Sequence, residues 1–600
     1  MHTRLRPLAA ALGLSFALLA PLAMAPAAAA PALDTSAVPA RPRDNGLPPH
    51  WHRGAFMEIF VRAWKDSDGD GIGDLRGLSS TLDELAELGI RGIWLMPVTA
   101  NADGDHGYAT TNFRDIAPEY GTLADFDELL RQAHARGIGV IMDYVINHAS
   151  AQHPFFTEAL KGPDNPFHRW FVWSDTAPPA GDGGWDIWGA YPWYHAASQP
   201  WAWPGTAKTV PRAPAEARGC YFGTNGPHMP DFDFRNPAVQ AYHLDSLGFW
   251  LNRGLDGFRL DATPHLFEKD AKDWNDQPES RAFTRQLQDL IKSYPARYVV
   301  CEATAKPDEW GDPAVCGGAF AFGYVHHIVQ AVRGQAESVQ RVATHWMTAS
   351  PTMASFLSNH DAFAGARLFD QLQGDERRMR LAAAVYVLQP GTPFVYYGEP
   401  IGQAGVPGLE GDPALRGPLS WTADTRTGGF SSATPFRPVA ANVATHNVES
   451  QRREPGSLRS HYQALIGLRN THPSIARGSF EQGAAQGLVA VWQRRLAEPG
   501  PGGVHEHTVV LVNFDEVPAP KSSFSTSATF RRHGHARRRQ GPCDAAAGAA
   551  VGARARGEHG SAGQEAAGAP RGPRHAALRR LRPGPARRAG RRRARAPPAG

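Results

Sequence analysis

Strand-like and helix-like patterns alternate through residues 55–475, and this alternation restricts the chain to very few folds. Short apolar runs that end in polar residues alternate with amphipathic segments. Eight such repeats predict a (β/α)8 TIM barrel, an architecture of the α/β class. The predicted strands are 56–61, 92–96, 139–145, 256–261, 298–302, 318–324, 353–358 and 393–398, and the predicted helices are 74–88, 123–136, 242–252, 282–293, 336–348, 376–388 and 460–470.

Two segments depart from this alternation. Residues 149–220 are too long for an ordinary loop and predict a small domain inserted after the third strand, so the barrel comprises 50–148 and 221–476. From 477 the pattern becomes all-β, which predicts a partial C-terminal antiparallel β domain that stops at about 518. The inserted segment is rich in tryptophan, and we expect most of these rings to form its core and one or two to line a cleft: Trp170, Trp173, Trp185, Trp188, Trp193, Trp201 and Trp203.

The two ends of the chain differ in composition from the rest. Residues 1–30 match a secretory signal peptide, with Arg4 and Arg6 before an apolar stretch and alanines at 27–30. This predicts a secreted or periplasmic protein with no membrane segment after cleavage. Residues 519–600 are rich in Arg, Ala, Gly and Pro and predict a disordered basic tail. A shifted reading frame explains the abrupt change, and a genuine basic arm that binds polyanions is the alternative.

The tail also distorts the overall charge. Residues 521–600 contain 19 basic and 3 acidic side chains, so a formal net charge of +4 conceals an acidic body. The basic balance therefore gives no argument that the folded part binds nucleic acid.

Four cysteines occur, and an oxidising compartment would permit a disulfide. Both Cys301–Cys316 and Cys220–Cys316 are compatible with the sequence, because connectivity does not follow from sequence alone. A small core thiol at Cys301 is a third possibility.

Four segments place carboxylates where predicted strands end. They are 143–148, 257–262, 300–303 and 356–361, and they contain Asp143, Asp261, Glu302 and Asp361. An unpaired buried carboxylate is costly, and the C-terminal ends of barrel strands meet at one face. The segments therefore predict an active site, and a structural ion-pair network is the alternative.

The order and chemistry of the four segments closely resemble the α-amylase superfamily of retaining glycoside hydrolases, over about residues 50–515. The resemblance implies that Asp261 is the nucleophile, Glu302 the general acid/base, and Asp361 a third carboxylate that holds sugar hydroxyls. Arg259 lies two positions before Asp261, so both side chains share a strand face, and its charge would keep the aspartate ionised. The run from Gly405 to Pro413 most resembles secreted Gram-negative bacterial α-amylases.

Four further residues match positions that the superfamily uses around its substrate. His148 and His360 match its two substrate-binding histidines, and Tyr108 matches the aromatic platform under the sugar that is cleaved. Asp143 matches a residue that supports the site through Arg259. Taken alone, a single His or Tyr would more often be a packed core residue.

A separate loop, residues 66–74, carries a carboxylate at alternate positions among glycines. It matches the first half of an EF-hand loop but has Gly77 where the twelfth-position glutamate would stand. Similar loops bind Ca²⁺ in oligo-1,6-glucosidase-like members of the superfamily, which implies a structural Ca²⁺ here. A metal-free turn is the alternative, and a second Ca²⁺ site at Asn147 is a further hypothesis. The predicted ligands are Asp66, Asp68, Asp70, the Ile72 carbonyl and Asp74.

The resemblance implies a secreted α-amylase that hydrolyses internal α-1,4 bonds of starch with retention of configuration. An α-glucosidase or a trehalose-synthase-like transglycosylase or isomerase on short α-glucosides is the alternative, because the residues after Asp261 resemble those enzymes. A non-catalytic carbohydrate-binding scaffold is the third possibility. We expect an α-glucan as the substrate, a monomer, and no nucleic-acid or membrane partner.

Overall fold

The computed structural model describes residues 33–181, 183–197, 218–499, 505–518 and 550–556. The chain forms two compact units, Met1–Arg556 and Gly557–Gly600, and all described residues belong to the first. The predicted signal peptide at 1–30 and most of the predicted tail lie outside the described residues. None of the described helices is both long and apolar enough to cross a lipid bilayer.

Strands and helices alternate through most of the described chain. The strands are β1 Phe56–Ile59, β2 Gly92–Leu95, β3 Thr99–Asn101, β4 Thr110–Ile116, β5 Gly139–Tyr144, β6 Trp173–Ser174, β7 Trp193–His195, β8 Cys220–Phe222, β9 Gly257–Leu260, β10 Tyr298–Cys301, β11 Ala354–Ser355, β12 Thr392–Tyr396, β13 Ser479–Gln486, β14 Val489–Arg495, β15 His505–Asn513 and β16 Ala550–Arg556. The helices are α1 Val61–Trp64, α2 Leu75–Ser80, α3 Leu82–Leu88, α4 Leu123–Ala135, α5 Pro154–Ala159, α6 Pro237–Arg253, α7 Pro278–Lys292, α8 Pro307–Trp310, α9 Tyr324–Val332, α10 Ala336–Thr344, α11 Leu368–Gln371, α12 Glu376–Val387, α13 Asp412–Leu415, α14 Val448–Arg453, α15 Leu458–Thr471 and α16 Pro473–Arg477. Short 3-10 helices lie at Trp51–Arg53, Pro118–Tyr120, His168–Trp170, Thr263–His265, His345–Met347, Ala362–Ala364 and Glu399–Ile401.

Seven parallel strands form the barrel, in the order β10, β9, β5, β2, β1, β12 and β11. Single bridges from Cys301 to Ala319 and from Phe320 to Ala354 link β10 to β11 and complete the circle. The prediction of a (β/α)8 barrel is confirmed.

The predicted strand at 318–324 is wrong in extent, because only Ala319 and Phe320 pair with their neighbours. The backbone turns directly after Phe320, since the N–H of Phe322 donates to the carbonyl oxygen of Phe320 at 2.8 Å. Gly323, with a φ of +85°, then precedes helix α9, which begins at Tyr324. This turn and helix start leave no extended segment for a longer strand.

The barrel interior is filled by side chains. The residues of β1, β2, β9 and β10 are all buried, as expected for parallel strands covered on both faces. Aromatic rings meet inside it, with 4.7 Å between the ring centres of Phe56 and Phe394 and 5.2 Å between those of Trp94 and Phe320. A packed interior leaves chemistry to the rim of the barrel.

The inserted region is built around the small antiparallel sheet β6–β8–β7. Its core is apolar and separate from that of the barrel, and it consists of Val172, Ile187, Trp193, Cys220 and Phe222. Among the tryptophans predicted for this region, Trp170 and Trp193 are buried, and Trp173 and Trp185 are partly buried. Trp188 is exposed, whereas Trp201 and Trp203 lie outside the described residues.

The C-terminal sheet is antiparallel and has four strands in the order β13, β14, β15, β16. The prediction that disorder begins at 519 is therefore wrong for 550–556, which pair with residues 505–511 of β15. The physical reason is that an edge strand offers unpaired N–H and C=O groups to any extended segment, whatever its side chains. The rest of the predicted tail lies outside the described residues.

Candidate active site

The four predicted carboxylates lie at the same rim of the barrel. Asp143 stands near the end of β5, Asp261 directly follows β9, Glu302 directly follows β10, and Asp361 lies in the loop after β11. Asp261, Glu302 and Asp361 line one cavity of about 540 Å³. The parallel direction of the strands, and not their nearness in sequence, brings these groups together.

Arg259 is the centre of the carboxylate cluster. Its side chain is only 2% exposed, and its Nη1 donates to Oδ1 of Asp143 at 2.8 Å and to Oδ1 of Asp261. Its Nη2 lies 3.1 Å from Oε2 of Glu302. One guanidinium therefore faces three carboxyl groups, and together they would carry two excess negative charges if all were ionised.

Burial controls the protonation of this cluster. It raises the pKa of Asp143 to about 6 and the pKa of Asp261 well above its usual range, and the charge of Arg259 opposes both shifts. Burial acts against the charge of Arg259 as well, but the surrounding carboxylates raise its pKa well above the ordinary value. The arrangement favours a permanently charged arginine and a cluster that retains a proton, which an acid/base mechanism requires.

Glu302 is held in place by hydrogen bonds from Ala262 and Thr263, the two residues that follow Asp261. The backbone N–H of Ala262 donates to its Oε2 at 3.1 Å, and the hydroxyl of Thr263 donates to its carbonyl oxygen at 3.0 Å. Ala262 reaches this position with a φ of +47°, in the left-handed region that non-glycine residues rarely occupy. The side chain of Glu302 remains 13% exposed, so Glu302 can reach a ligand in the cavity.

A disulfide between Cys301 and Cys316 lies directly beside Glu302 in the chain. Of the two pairings that the sequence allowed, this one is present, and Cys220 is a buried free thiol. The bond connects the last residue of β10 to the loop that carries Ala319 and Phe320 back into the barrel.

A chain of hydrogen bonds links Arg259 to the opposite wall. The hydroxyl of Tyr108 donates to Oδ2 of Asp143 at 2.9 Å and lies 2.7 Å from Nε2 of His360. Nδ1 of His360 lies 2.7 Å from Oε1 of Glu58. Because the Tyr108 hydroxyl donates to Asp143, Nε2–H of His360 donates to the Tyr108 oxygen, and Nδ1 of His360 accepts a hydrogen bond from the protonated carboxyl group of Glu58.

The pKa directions agree with that assignment. Burial and the charge of Asp361 raise the pKa of Glu58 well above its usual value, and burial lowers the pKa of His360 well below its usual value. A protonated carboxyl group beside a neutral imidazole is the state that both shifts favour. Sequence analysis missed Glu58, although a charged residue between Met57 and Ile59 inside an apolar strand was a usable signal.

Asp361 is held by two partners. Its Oδ1 lies 3.1 Å from Nη2 of Arg416, and its Oδ2 lies 3.1 Å from Nε2 of His360. Burial raises the pKa of Asp361 to about 7, against the charge of Arg416. Arg416 also donates to the carbonyl oxygen of His360 at 2.9 Å. No sequence pattern identified Arg416, which directly follows the short helix α13 in the long segment after β12.

His148 lies at another part of the cavity wall. Its Nε2 donates to the carbonyl oxygen of Tyr108 at 3.2 Å, and its Nδ1 lies 3.2 Å from Nδ2 of Asn225. Burial lowers the pKa of His148 to about 3, so it is a neutral hydrogen-bonding group. Tyr108 and His148 line the cavity, whereas Arg259, Asp143 and His360 lie behind its surface.

The loop after β1 brings together three of the predicted metal ligands. Carboxylate oxygens of Asp66, Asp68 and Asp74 lie within 4.8 Å of one another. Ca²⁺ ligands lie at about 2.3–2.6 Å from the ion, so two ligands of one ion are at most about 5 Å apart and this trio fits. Asp70 is not one of the three grouped carboxylates and instead accepts from the backbone N–H of Ile72 at 2.7 Å. The Ile72 carbonyl as a ligand stays a prediction.

Comparison with known proteins places the chain in a family. The family described as "Alpha amylase, catalytic domain" matches residues 58–478. The trehalose synthase/amylase of Mycolicibacterium smegmatis is 32% identical over 514 residues, which cover 77% of this chain and 84% of that protein. The chain therefore belongs to the alpha-amylase family. The protein is therefore an enzyme, a glycoside hydrolase or transglycosidase, and not a non-catalytic scaffold.

Solved structures agree with this placement. The crystal structure of an alpha-amylase from H. orenii has a TM-score of 0.63 and 30% identity, covering 77% of this chain and 89% of that one. An alpha-glucosyl transfer enzyme has a TM-score of 0.65 and 25% identity, covering 78% of this chain and 91% of that one. The narrower resemblance to secreted Gram-negative α-amylases stays a prediction.

Proposed function

We propose that this protein is a retaining enzyme that acts on short α-glucosides and transfers the glucosyl unit to a sugar hydroxyl as well as to water. The sequence favours endo-acting starch hydrolysis, and the comparisons favour its alternative on short α-glucosides. The relatives described above include a trehalose synthase/amylase and an alpha-glucosyl transfer enzyme. Their names describe those proteins, and they support the proposal for this one.

The observation that carries the proposal is a charged wall on one side of the cavity. Arg416 lines the cavity and contacts both Asp361 and Asp412 at 3.1 Å. Arg437 donates to the Arg416 carbonyl oxygen at 3.2 Å and to Oδ2 of Asp105 at 2.7 Å. These bonds join the loop before β4 to the loop after β12. An endo-acting site must let a long chain continue past the cleaved sugar, and a braced charged wall favours a short donor instead.

The geometry supports a two-step mechanism for glucosyl transfer. In the first step Asp261 bonds to the anomeric carbon, the glycosidic C–O bond breaks, and Glu302 gives its proton to the leaving oxygen. Arg259 favours the ionised form of Asp261 that this step uses, against the burial that raises the pKa of Asp261. Asp361, with His360 behind it, would accept hydrogen bonds from the hydroxyls of the bound sugar.

The second step reverses the roles of the same two groups. An acceptor hydroxyl, from water or from a sugar, gives its proton to Glu302 while its oxygen displaces Asp261 from the anomeric carbon. Two inversions restore the α configuration. Whether water or sugar attacks depends on how well the site binds an acceptor beside Glu302.

Product analysis tests the proposal. We expect maltose to give both glucose and a rearranged or enlarged α-glucoside, and soluble starch to react more slowly per bond. Chromatography of reactions with maltose, trehalose, sucrose and soluble starch measures this. Rapid shortening of starch without any transfer product from maltose would support the second candidate, a starch-hydrolysing α-amylase. That candidate is favoured by the similarity to the alpha-amylase from H. orenii.

We further propose that the protein is secreted or periplasmic and acts as a monomer. A disulfide at Cys301–Cys316 supports an oxidising compartment. An α-glucoside is the partner that the site chemistry supports, and the acidic body gives no support for a nucleic-acid partner.

The loop 66–74 would hold a structural Ca²⁺ in this proposal. Asp66, Asp68 and Asp74 supply the carboxylate oxygens, which are the hard ligands that Ca²⁺ prefers. Hydrogen bonds already shape the loop, since Gly69 and Gly71 donate to Asp66 at 2.7 and 2.9 Å. Asp74 also caps α2 through the N–H of Gly77 at 2.8 Å, so an ion here would stabilise the start of that helix. The second site, at Asn147, stays a prediction.

Removal of Asp68 should weaken this site selectively. Asp68 is exposed, and its carboxylate accepts a bond only from the N–H of Asp70, at 3.2 Å, among the bonds found in the described part of the chain. We expect Asp68→Ala to lower calcium content and to reduce the drop in Tm that a chelator causes, because bound ligand stabilises only the folded state. Asp70→Ala is the matched control, with a smaller expected effect. Equal calcium content and chelator response in Asp68→Ala and the unaltered protein would show that the loop is only a turn.

A further inference from the structure

Trp188 is an exposed tryptophan at the edge of the active-site cavity. It lines the cavity with Asp261 and Glu302, and it is 66% exposed, the largest exposed fraction of any tryptophan among the described residues. None of the catalytic steps proposed above uses it.

A tight hairpin turn exposes the ring of Trp188. Ile187 and Ala190 exchange backbone hydrogen bonds of 2.8 and 2.9 Å across a two-residue turn, in which Trp188 has a φ of +52° and Gly189 a φ of +87°. Two positive φ values define a type I′ hairpin turn, which normally takes Asn-Gly or Asp-Gly. A bulky residue at the first position is strained, and such strain is concentrated at functional sites.

The turn is anchored firmly enough to hold the ring in place. Ile187 is 1% exposed in the core of the inserted region, and Asp186 accepts from the N–H of Gly189 at 2.7 Å. The ring of Trp188 contacts His265 and Trp274 edge-on, with ring centres 5.4 Å apart in each case. His265 and Trp274 are themselves stacked at 5.2 Å. Trp188 therefore stands on a rigid aromatic base.

The contact with His265 holds Trp188 in the part of the cavity wall that includes Glu302, the acid/base residue. His265 follows Asp261 by four residues and lines the cavity beside Glu302, whose charge opposes the lowering of the pKa of His265 by burial. Another part of the cavity wall carries Asp361, which holds the donor sugar in the proposed function and pairs with Arg416. The leaving group departs, and the acceptor arrives, next to the residue that exchanges its proton.

We infer that Trp188 forms the binding platform for the acceptor sugar and so determines how much glucosyl passes to a sugar instead of to water. This inference rests on the proposed transfer activity. A flat aromatic face covers the apolar face of a pyranose and holds it where its hydroxyl can attack. Water gains nothing from such a face, so the ring favours sugar selectively. Phe363, 58% exposed in the same cavity, is a second ring available to the acceptor.

The test separates donor use from acceptor binding. α-Glucosyl fluoride serves as the donor, because its leaving group needs no sugar-binding site, and glucose is added as the acceptor over a wide range of concentrations. The ratio of disaccharide formed to donor hydrolysed is read within each reaction, so it is independent of the fraction of active enzyme. Trp188→Asn removes the ring with a residue that suits a type I′ turn, and Trp188→Phe keeps a smaller ring.

We expect Trp188→Asn to need about ten-fold more glucose to divert half of the glucosyl flux, and Trp188→Phe to stay within about three-fold of the unaltered enzyme. If the Asn variant and the unaltered enzyme need the same glucose concentration to divert half of the glucosyl flux, the inference about Trp188 is wrong and the proposed transfer activity still stands. An unaltered enzyme that forms no disaccharide at any glucose concentration would overturn both the inference and the proposed transfer activity.

Discussion

Asp261→Asn and Glu302→Gln should each lower kcat/KM on a natural α-glucoside by at least about 10³-fold, because each removes one half of a two-carboxylate mechanism. Both changes keep the shape of the side chain and one of its two acceptor oxygens. Arg259 would still contact the amide oxygen of the Asn variant, and Ala262 could still donate to that of the Gln variant. Steady-state kinetics with maltose, together with circular dichroism to verify folding, measures the effect.

The two variants should differ on an activated substrate. An aryl α-glucoside with a good leaving group needs little protonation, so Glu302→Gln should regain part of its first-step rate, whereas Asp261→Asn should not. Asp289→Asn, an exposed carboxylate on α7 that pairs with Arg285, is the matched control and should stay near normal. Near-normal turnover of maltose by either active-site variant would end the assignment of that residue.

The barrel could be predicted from sequence because its signals are local. Apolar strand runs, amphipathic helices and their alternation each depend on neighbouring residues, so β1, β5 and β9 lie within or close to the predicted ranges. The segment at 318–324 failed because its apolar residues suggested a strand, while the backbone turns after Phe320 and a helix begins at Tyr324. Strand β16 could not be predicted, since edge pairing depends on a free neighbouring strand and hardly on the side chains of the added one.

The site divides in a similar way. Asp261, Glu302 and Asp361 could be placed because they follow recognisable strands, and parallel strands end at one rim. Arg416 could not, because it is brought to Asp361 by an irregular loop whose course follows from long-range packing. The exposed position of Trp188 depends on a hairpin with positive φ values, which no Asn-Gly signal announced. Residues inside recognisable motifs could be predicted, whereas Arg416 and the exposed position of Trp188, which no motif marks, could not.

Replacement of Arg259 should have the largest effect on stability. It is 2% exposed and compensates Asp143, Asp261 and Glu302 together. Its loss in Arg259→Gln leaves buried carboxylates without a counter-charge, and removal of one partner from a buried ion pair costs about 3–5 kcal/mol. We expect a lower free energy of unfolding at pH 7.5 and an almost inactive enzyme. Urea unfolding followed by circular dichroism measures the first effect.

The pH dependence distinguishes this cause from simple loss of packing. The folded-state pKa of Asp143 is about 6, above its unfolded value of about 3.8, so its protonated form contributes stability that is complete below the unfolded pKa and is lost as pH rises through about 6. Without Arg259 the folded pKa values of Asp143 and Asp261 should rise further, so the loss extends to higher pH. The stability difference between Arg259→Gln and the unaltered protein should therefore be larger at pH 8 than at pH 5. Arg253→Gln, which breaks a partly exposed pair with Asp127, should cost under about 1 kcal/mol with little pH dependence. A pH-independent difference for Arg259→Gln would show that this arginine acts through packing and not through the charge of the carboxylate cluster.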